Sequence, residues 1–256
     1  MDPLLFQEAC RWALSGEARK GGIGTLGEKT LHSAVKYYVQ PDPSRREVRL
    51  GPYVADALTE DGVSEIQTRS LYRLGPKLRW FLEQGPVTVV YPVPAKKTVA
   101  WIDGAGEITP ARKSPLKPTA GCVLGELYPL RELLSHPWLR LRVLLLEVAE
   151  YRLLNGWSRD KKRGSTRFDR VPLSLLGEVW VRSPGEYGKL LPEGLPETFT
   201  SRELGRAVGL SPKRATLAAN VLRGLGAIAP VGKRGPAYLY TRAEASRRTC
   251  PILEKG

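Results

Sequence analysis

The sequence predicts an α/β protein built on a mixed sheet, followed by a small C-terminal module of two helices and a hairpin. Three observations carry this. Residues 25–103 switch between helical and strand periodicity in the order helix, three strands, helix, strand. An Asp-Gly pair at 61–62 separates two alternating runs, which is a strong short-range hairpin signal. From Leu195 onward, a capping sequence, a proline-led helix and the tetrad Gly232-Lys233-Arg234-Gly235 follow in close order. The implied division is a helical extension at 1–24, the αβββαβ core at 25–103, a basic α/β extension at 104–194, the C-terminal module at 195–243 and a tail at 244–256.

In chain order, residues 3–20 read as a short helix with Leu5, Ala9, Trp12 and Ala13 on one side. Gly21-Gly22-Ile23-Gly24 ends it. No strand precedes that run and no Gly-Lys-Ser/Thr follows, so it is not a nucleotide loop. A helix over 26–39 buries Leu31, Ala34, Val35 and Tyr38, and Pro41-Asp42-Pro43 stops it. Extended segments are expected at Glu47–Leu50, Tyr53–Thr59 and Val63–Thr68. A helix over 70–84 should start late or kink at Gly75-Pro76. Val87–Tyr91 and Thr98–Ile102 read as strands, 104–125 as a loop, Tyr128–Ser135 as a short helix and Leu141–Val148 as a strand. A strand at 178–182 and a short helix at 184–191 complete the middle of the chain. Thr200 and Glu203 form a capping box that opens one helix, and Ser211-Pro212 opens the next. Ala227–Val231 and Ala237–Tyr240 then pair across a turn at 232–235.

Charge narrows the function. The chain has 256 residues, 42% hydrophobic and 26% charged, with a net charge of +14 and a pI near 9.9. Such a balance attracts polyanions, nucleic acid first and an acidic membrane surface second. The excess is uneven. Residues 1–94 carry 12 Lys/Arg against 11 Asp/Glu. Residues 155–170 carry six bases and two acids, and residues 195–243 carry eight and two. No run of 18 apolar residues exists, and the first residues lack the pattern of a secretory signal, so a cytoplasmic protein is expected. Cys10, Cys122 and Cys250 are far apart, which argues against a disulfide scaffold or a zinc ribbon. His32 reads as a structural histidine rather than a ligand.

The hairpin brings acids together. With Asp61 and Gly62 as the loop, paired positions sum to 123. Asp56 then lies across from Gln67 and diagonal to Glu65, and all three share a face. Diagonal neighbours lie about 7–8 Å apart, so the two carboxylates can share one cation, for which Mg²⁺ or Mn²⁺ suits oxygen ligands. The alternative is a solvated face of an edge hairpin. Glu28 leads the stripe of the preceding helix.

The order of elements, with Glu28 in GEKTLH, Asp56 in YVADALT and Glu65-Ile66-Gln67, resembles the PD-(D/E)xK nuclease superfamily of restriction enzymes and Holliday-junction resolvases. The resemblance covers residues 25–92 and implies a nuclease-like core with Glu28, Asp56, Glu65 and Gln67 as catalytic residues and Asp56 and Glu65 as metal ligands. Gln67 stands where the family has lysine, and Lys77 is a candidate replacement cation. The C-terminal module resembles winged helix-turn-helix DNA-binding domains.

The expected function is a metal-dependent DNA endonuclease. Its DNA contacts would be Arg159, Lys161, Lys162, Arg163 and Arg167 on the basic loop, and Lys213, Arg214, Lys233 and Arg234 on the C-terminal module, with Trp157 and Phe168 as stacking groups. The alternatives are a non-catalytic DNA-binding regulator and an RNA-binding or RNA-processing protein. A second copy of the chain is a further candidate partner, and no membrane is expected.

Overall fold

A computed structural model describes residues 1–15, 29–156 and 164–243. Helix α1 (Pro3–Leu14) starts where Asp2 accepts a hydrogen bond from Leu5 N at 3.0 Å, with Pro3 in the first turn, where a missing N–H costs nothing. Its buried face is Phe6, Ala9, Cys10 and Ala13. Helix α2 (Thr30–Val39) buries the expected Leu31, Ala34, Val35 and Tyr38, together with Ser33 and Lys36. Phe6 meets Tyr38 edge to face at 5.3 Å. The Arg46 guanidinium lies 4.6 Å from the Trp12 ring centre and 5.4 Å from that of Tyr37, a cation–π contact that closes the rim of the helix pair.

Strands β1 (Arg46–Leu50), β2 (Tyr53–Thr59) and β3 (Gly62–Ile66) form an antiparallel meander. A short 3₁₀ turn over Leu71–Leu74 precedes α3 (Gly75–Gln84), which starts late, as Gly75-Pro76 requires. The segments expected at 87–91 and 98–102 are one strand, β4 (Val87–Ile102). β5 (Arg112–Lys113) pairs with β4, and in place of the helix expected at 128–135 there are α4 (Leu124–Leu127), a 3₁₀ turn over Tyr128–Leu130 and turns over 131–135. β6 (Leu139–Leu153) and β7 (Thr166–Val181) are both much longer than their apolar cores predicted, because charged residues continue their ladders. The sheet order is β1-β2-β3-β4-β6-β7 with β5 beside β4, and it is mixed.

The C-terminal segment comprises β8 (Thr198–Thr200), α5 (Ser201–Val208), α6 (Pro212–Gly224), β9 (Ile228–Arg234) and β10 (Ala237–Arg242), with a small antiparallel sheet in the order β8-β10-β9. The capping box forms: Glu203 N donates to Thr200 Oγ1 at 3.3 Å and Thr200 N donates to Glu203 Oε2 at 2.7 Å. Gly209 ends α5 at φ 73°, a left-handed conformation that glycine adopts without a Cβ penalty. The tight turn of the β9–β10 hairpin is Gly235-Pro236, not 232–235. Lys233 and Arg234 therefore lie on β9, paired with Tyr238 and Ala237.

By internal contacts the chain divides into two units. One holds residues 1–68, 92–118 and 144–178, and the other holds 69–91, 119–143 and 179 onward. The first is cored by α1, α2 and the sheet residues Ala55, Ala57, Ile66, Val93, Leu144, Leu146 and Val148. The second is cored by Leu78, Phe81, Leu127, Leu190, Phe199, Leu204 and Leu222. Among the described residues no helix is long and apolar enough to cross a membrane.

Close packing of α5 on α6 rests on Gly205, where an added Cβ would lie 2.6 Å from Ala215 Cβ. Gly205→Ala should therefore lower stability by about 1–3 kcal/mol despite the better helix propensity of alanine. Gly224→Ala, with nothing within 4 Å of its added carbon, should be neutral or stabilising by up to about 1 kcal/mol. Urea midpoints of the two variants, compared with wild type, check the difference.

Candidate active site and basic cluster

The β2–β3 turn differs from expectation in register. Thr59 pairs with Gly62, Leu58 with Val63 and Ala57 with Ser64, so the turn residues are Glu60 and Asp61. Paired positions sum to 121 rather than 123. Continuing that register sets Asp56 opposite Glu65, and Gln67 lies just beyond the end of β3. The shift is two residues, so Asp56 and Glu65 still share a face.

At this point the regular ladder gives way to side-chain bonds. Ile66 N donates to Asp56 Oδ2 at 2.8 Å, and Asp56 N donates to Glu65 Oε1 at 3.2 Å. Asp56 thus accepts from the residue after Glu65, and Glu65 accepts from the N–H of Asp56 itself. Glu65 is 1% exposed and Asp56 is half-buried. Burying two carboxylates this close is costly unless donors surround them.

Helix α2 lies over this region with two polar side chains one turn apart. His32 Nε2 is 3.0 Å from Ile66 O and 3.7 Å from Asp56 Oδ2. The carbonyl can only accept, so Nε2 carries the proton. Four residues on, the buried Lys36 reaches Glu47 Oε1 at 2.8 Å. Glu47 interrupts β1 at φ 54°, a left-handed conformation uncommon for a residue with a Cβ. The flanking pairs Arg46 with Ala57 and Val48 with Ala55 set Glu47 opposite Asp56. Three adjacent strands therefore carry Glu47, Asp56 and Glu65 at facing positions, beneath His32 and Lys36. The start of α2 is tied to β7: Lys29 Nζ donates to Phe168 O at 2.8 Å and Thr30 Oγ1 donates to Asp169 Oδ2.

Of the expected catalytic set, Asp56 and Glu65 come together, Gln67 is near them in the chain but outside the pairing, and Glu28 lies outside the described residues. Lys77 Nζ sits over the Phe81 ring at 5.7 Å. His32 bonds the Ile66 carbonyl and stands beside Asp56. Lys36 and Glu47 were missed. Their one signal is a lysine inside a helix's apolar face, which needs a buried anion from elsewhere in the chain.

Hard oxygen donors fit Mg²⁺ or Mn²⁺, and the carboxylate oxygens that accept a backbone N–H keep a second lone pair for a cation. Among the described residues, however, no group of three or more His, Cys, Asp or Glu is arranged to hold a metal ion.

Of the expected DNA contacts, Trp157, Arg159, Lys161, Lys162 and Arg163 lie outside the described residues. Phe168 is exposed, with Lys29 Nζ 5.8 Å from its ring centre. Lys213 is exposed at the start of α6, and Arg214 beside it pairs with Glu126 at 3.4 Å. Lys233 Nζ lies 5.1 Å from the Tyr238 ring centre, and Arg234 Nη1 pairs with Glu203 Oε1 at 2.8 Å.

Arg167 belongs to a cluster that sequence reasoning did not find. Glu150 on β6 is 2% exposed and faces Arg152 Nη1 at 3.0 Å, Arg170 Nε at 3.0 Å, Lys97 Nζ at 3.4 Å and Arg167 Nε at 3.6 Å. Arg152 also donates to Ser165 Oγ and Ser165 O, both at 3.1 Å. Burial would raise the Glu150 pKa, but Lys97, Arg170 and Arg167 outweigh it and hold the group at about 2. The available signal was Glu150-x-Arg152, an acid and a base two apart that follow the apolar positions Leu144, Leu146 and Val148 on the same face of the strand.

This lowered pKa has a stability consequence. The contribution is fully present above the ordinary carboxylate pKa of 4.5 and is lost as pH falls from there toward 2. Glu150→Gln keeps the shape and removes the charge. It should cost about 2 kcal/mol at pH 7, discounted because the cations reach solvent. That deficit should shrink steadily between pH 4.5 and 2. Urea unfolding of both proteins across this range measures the gap.

A family model described as "Domain of unknown function (DUF8091)" matches residues 29–182, from the start of α2 through β7, and so takes in both clusters but not β8–β10. A protein of Treponema pallidum (strain Nichols), described as uncharacterized, is 30% identical over 222 residues, covering 86% of this chain and 87% of that relative. No solved structure matches. Since the matched span exceeds half of the 256 residues, the chain belongs to the DUF8091 family.

Proposed function

We propose that the chain is a metal-dependent DNA endonuclease with a nuclease-like core and a C-terminal winged-helix module. The observation that carries the reading is the facing pair Asp56 and Glu65, with the proton-bearing His32 Nε2 3.7 Å from Asp56 Oδ2. A pair of carboxylates on adjacent strands under a helix is the arrangement expected of that nuclease core. Asp56 and Glu65 would hold Mg²⁺ or Mn²⁺, which when bound neutralises phosphate charge and lowers the pKa of water. His32 orients Asp56, and Lys36 is the buried cation on the same helix, a stronger candidate than Lys77 for the charge absent at Gln67. The left-handed Glu47 holds Lys36 in place, and backbone strain of this kind gathers at working sites. Gln67 positions the attacking water, and Glu28 completes the site from the helix side.

For the C-terminal module, the support is the order strand, helix, helix, hairpin with strand order β8-β10-β9, and the basic residues Lys213 and Arg214 at the start of α6 and Lys233 and Arg234 on β9. Arg214 and Arg234 already have acidic partners, so Lys213 and Lys233 carry the larger share of phosphate contact.

A second reading, a DNA-binding regulator that does not cut, is favoured by the lack of a three-ligand group among the described residues. Incubating the protein with supercoiled, linear and branched DNA, and with RNA, in Mg²⁺ or Mn²⁺ separates the two. Cleavage should be slow, strictly metal-dependent and abolished by Asp56→Ala, with DNA binding retained. No cleavage of any substrate, together with no Mn²⁺ uptake by calorimetry, would establish the regulator instead. RNA displacing duplex DNA at equal concentration would move the substrate to RNA.

The salt dependence of DNA affinity tests the module separately. Lys213→Ala and Lys233→Ala should each reduce the log–log salt slope by about one, because each lost phosphate contact releases about one counterion fewer. Arg214→Ala and Arg234→Ala should change it less.

A further inference from the structure

A cleft of about 390 Å³ opens between the end of α6 and the turn-rich segment 128–135 beside it. Leu134 and Val221, both buried, and the half-buried Leu225 supply its apolar lining. Gly224 lines it too, and a Cβ added there would meet nothing within 4 Å, so the missing side chain leaves room. Small-molecule sites usually occupy about 300–1,000 Å³ and set a few polar groups in such a lining.

The polar lining is cationic. Arg131 comes from one wall and Arg223 from the other, and no acidic residue lines the cleft. Arg131 is held in place: its guanidinium lies 4.8 Å from the Tyr128 ring centre, and Nη1 donates to Tyr128 O at 3.4 Å. Its acidic neighbour Glu132, at 3.6 Å, is exposed and also receives Arg79 at 3.4 Å, so two guanidinium groups share one carboxylate. Among the described residues, the side chains of Ser135, Asn220 and Arg223 bond to no other protein group. A base in the last turn of a helix ordinarily answers the carbonyls there. In α6 those carbonyls are taken: Val221 O accepts from Leu225 N at 3.0 Å, Leu222 O from Ala227 N at 2.8 Å and Arg223 O from Gly226 N at 3.0 Å. The Arg223 guanidinium is therefore open to a ligand.

Two guanidinium groups on opposite walls match a dianion, and their planar forks suit phosphate oxygens. A phosphate monoester carries nearly two negative charges at neutral pH, whereas a carboxylate carries one. The Tyr128 ring and the apolar lining suit a flat ring, and the Asn220 amide, which both donates and accepts, suits a polar ring edge. We infer that the cleft binds a phosphate monoester carried on a flat, polar-edged ring, of the class of a mononucleotide. Arg131 and Arg223 take the phosphate, and Asn220 takes the ring edge. The site uses neither the acidic pair nor a metal, and it stands whether or not the chain cuts DNA.

The test titrates the full chain by calorimetry, without metal or DNA, with adenosine 5′-monophosphate, adenosine and inorganic phosphate. The monophosphate should bind roughly tenfold more tightly than either half, or better. Arg131→Ala and Arg223→Ala should each weaken it roughly tenfold, the loss expected for one charge-assisted contact, and leave adenosine binding unchanged. Asn220→Ala should weaken the monophosphate and adenosine and spare inorganic phosphate. Arg223→Lys keeps the charge without the fork and should recover part of the loss. Arg206→Ala removes an exposed arginine of α5 outside the cleft and controls for net charge. All the replaced side chains are exposed, so urea midpoints should stay near wild type and separate a lost contact from a lost fold. Wild type that takes up none of the three probes, or cleft variants that match Arg206→Ala, overturns the site. Inorganic phosphate bound as tightly as the monophosphate overturns the assignment of the ring.

Discussion

A charged side chain that leaves water must find a partner, and in this chain that requirement ties helix to sheet and strand to strand. Lys36 enters the buried face of α2 and is matched by Glu47 on β1. Glu65, almost wholly buried on β3, is matched by a backbone N–H of β2. Glu150 is matched by cations from β4, β6 and β7. Breaking one partner of such a pair leaves an uncompensated buried charge, which costs several times more than an exposed ion pair contributes. These contacts therefore specify which helix face meets which strands, over and above what apolar burial alone would select.

The same requirement accounts for the irregularities of the meander. At Asp56 the ladder with β3 is replaced by two bonds in which side-chain carboxylates accept from main-chain N–H groups. On the other side, Glu47 adopts a left-handed conformation opposite Asp56. A regular sheet would have spent its N–H groups on the opposing carbonyls and left the acids without donors. Giving up ladder bonds provides each carboxylate with a main-chain donor and keeps the pair close together under α2, the arrangement that the nuclease reading uses.

Charge is handled differently toward the C-terminus. Glu203 caps α5 and also receives Arg234, and Glu126 receives Arg214. Thr200, through its backbone N–H first and its hydroxyl next, holds the Glu203 carboxyl below its ordinary pKa, with Arg234 adding to the effect. These acids hold two of the four basic side chains in defined positions.

Element order was legible in the residues because helix and strand periods follow from backbone geometry: the stripe of α2, the meander, the late start of α3, the capping box and the proline-led α6 all form. Register was less legible. Gly62, at φ 109°, closes the ladder with Thr59 instead of serving as a turn residue, so the pairing slipped by two. Face alternation has a period of two, so Asp56 and Glu65 stayed on one face and the candidate pair survived the slip. The sequence by itself determined which positions are apolar, where α5 and α6 begin and that basic charge gathers late in the chain. Only the tertiary structure decided that Lys36 answers Glu47, that Asp56 and Glu65 exchange backbone bonds and that Lys97, Arg152, Arg167 and Arg170 converge on Glu150. Periodicity is a local property of a few consecutive residues, whereas the partner of a buried charge is chosen by whichever distant segment the folded core brings within reach.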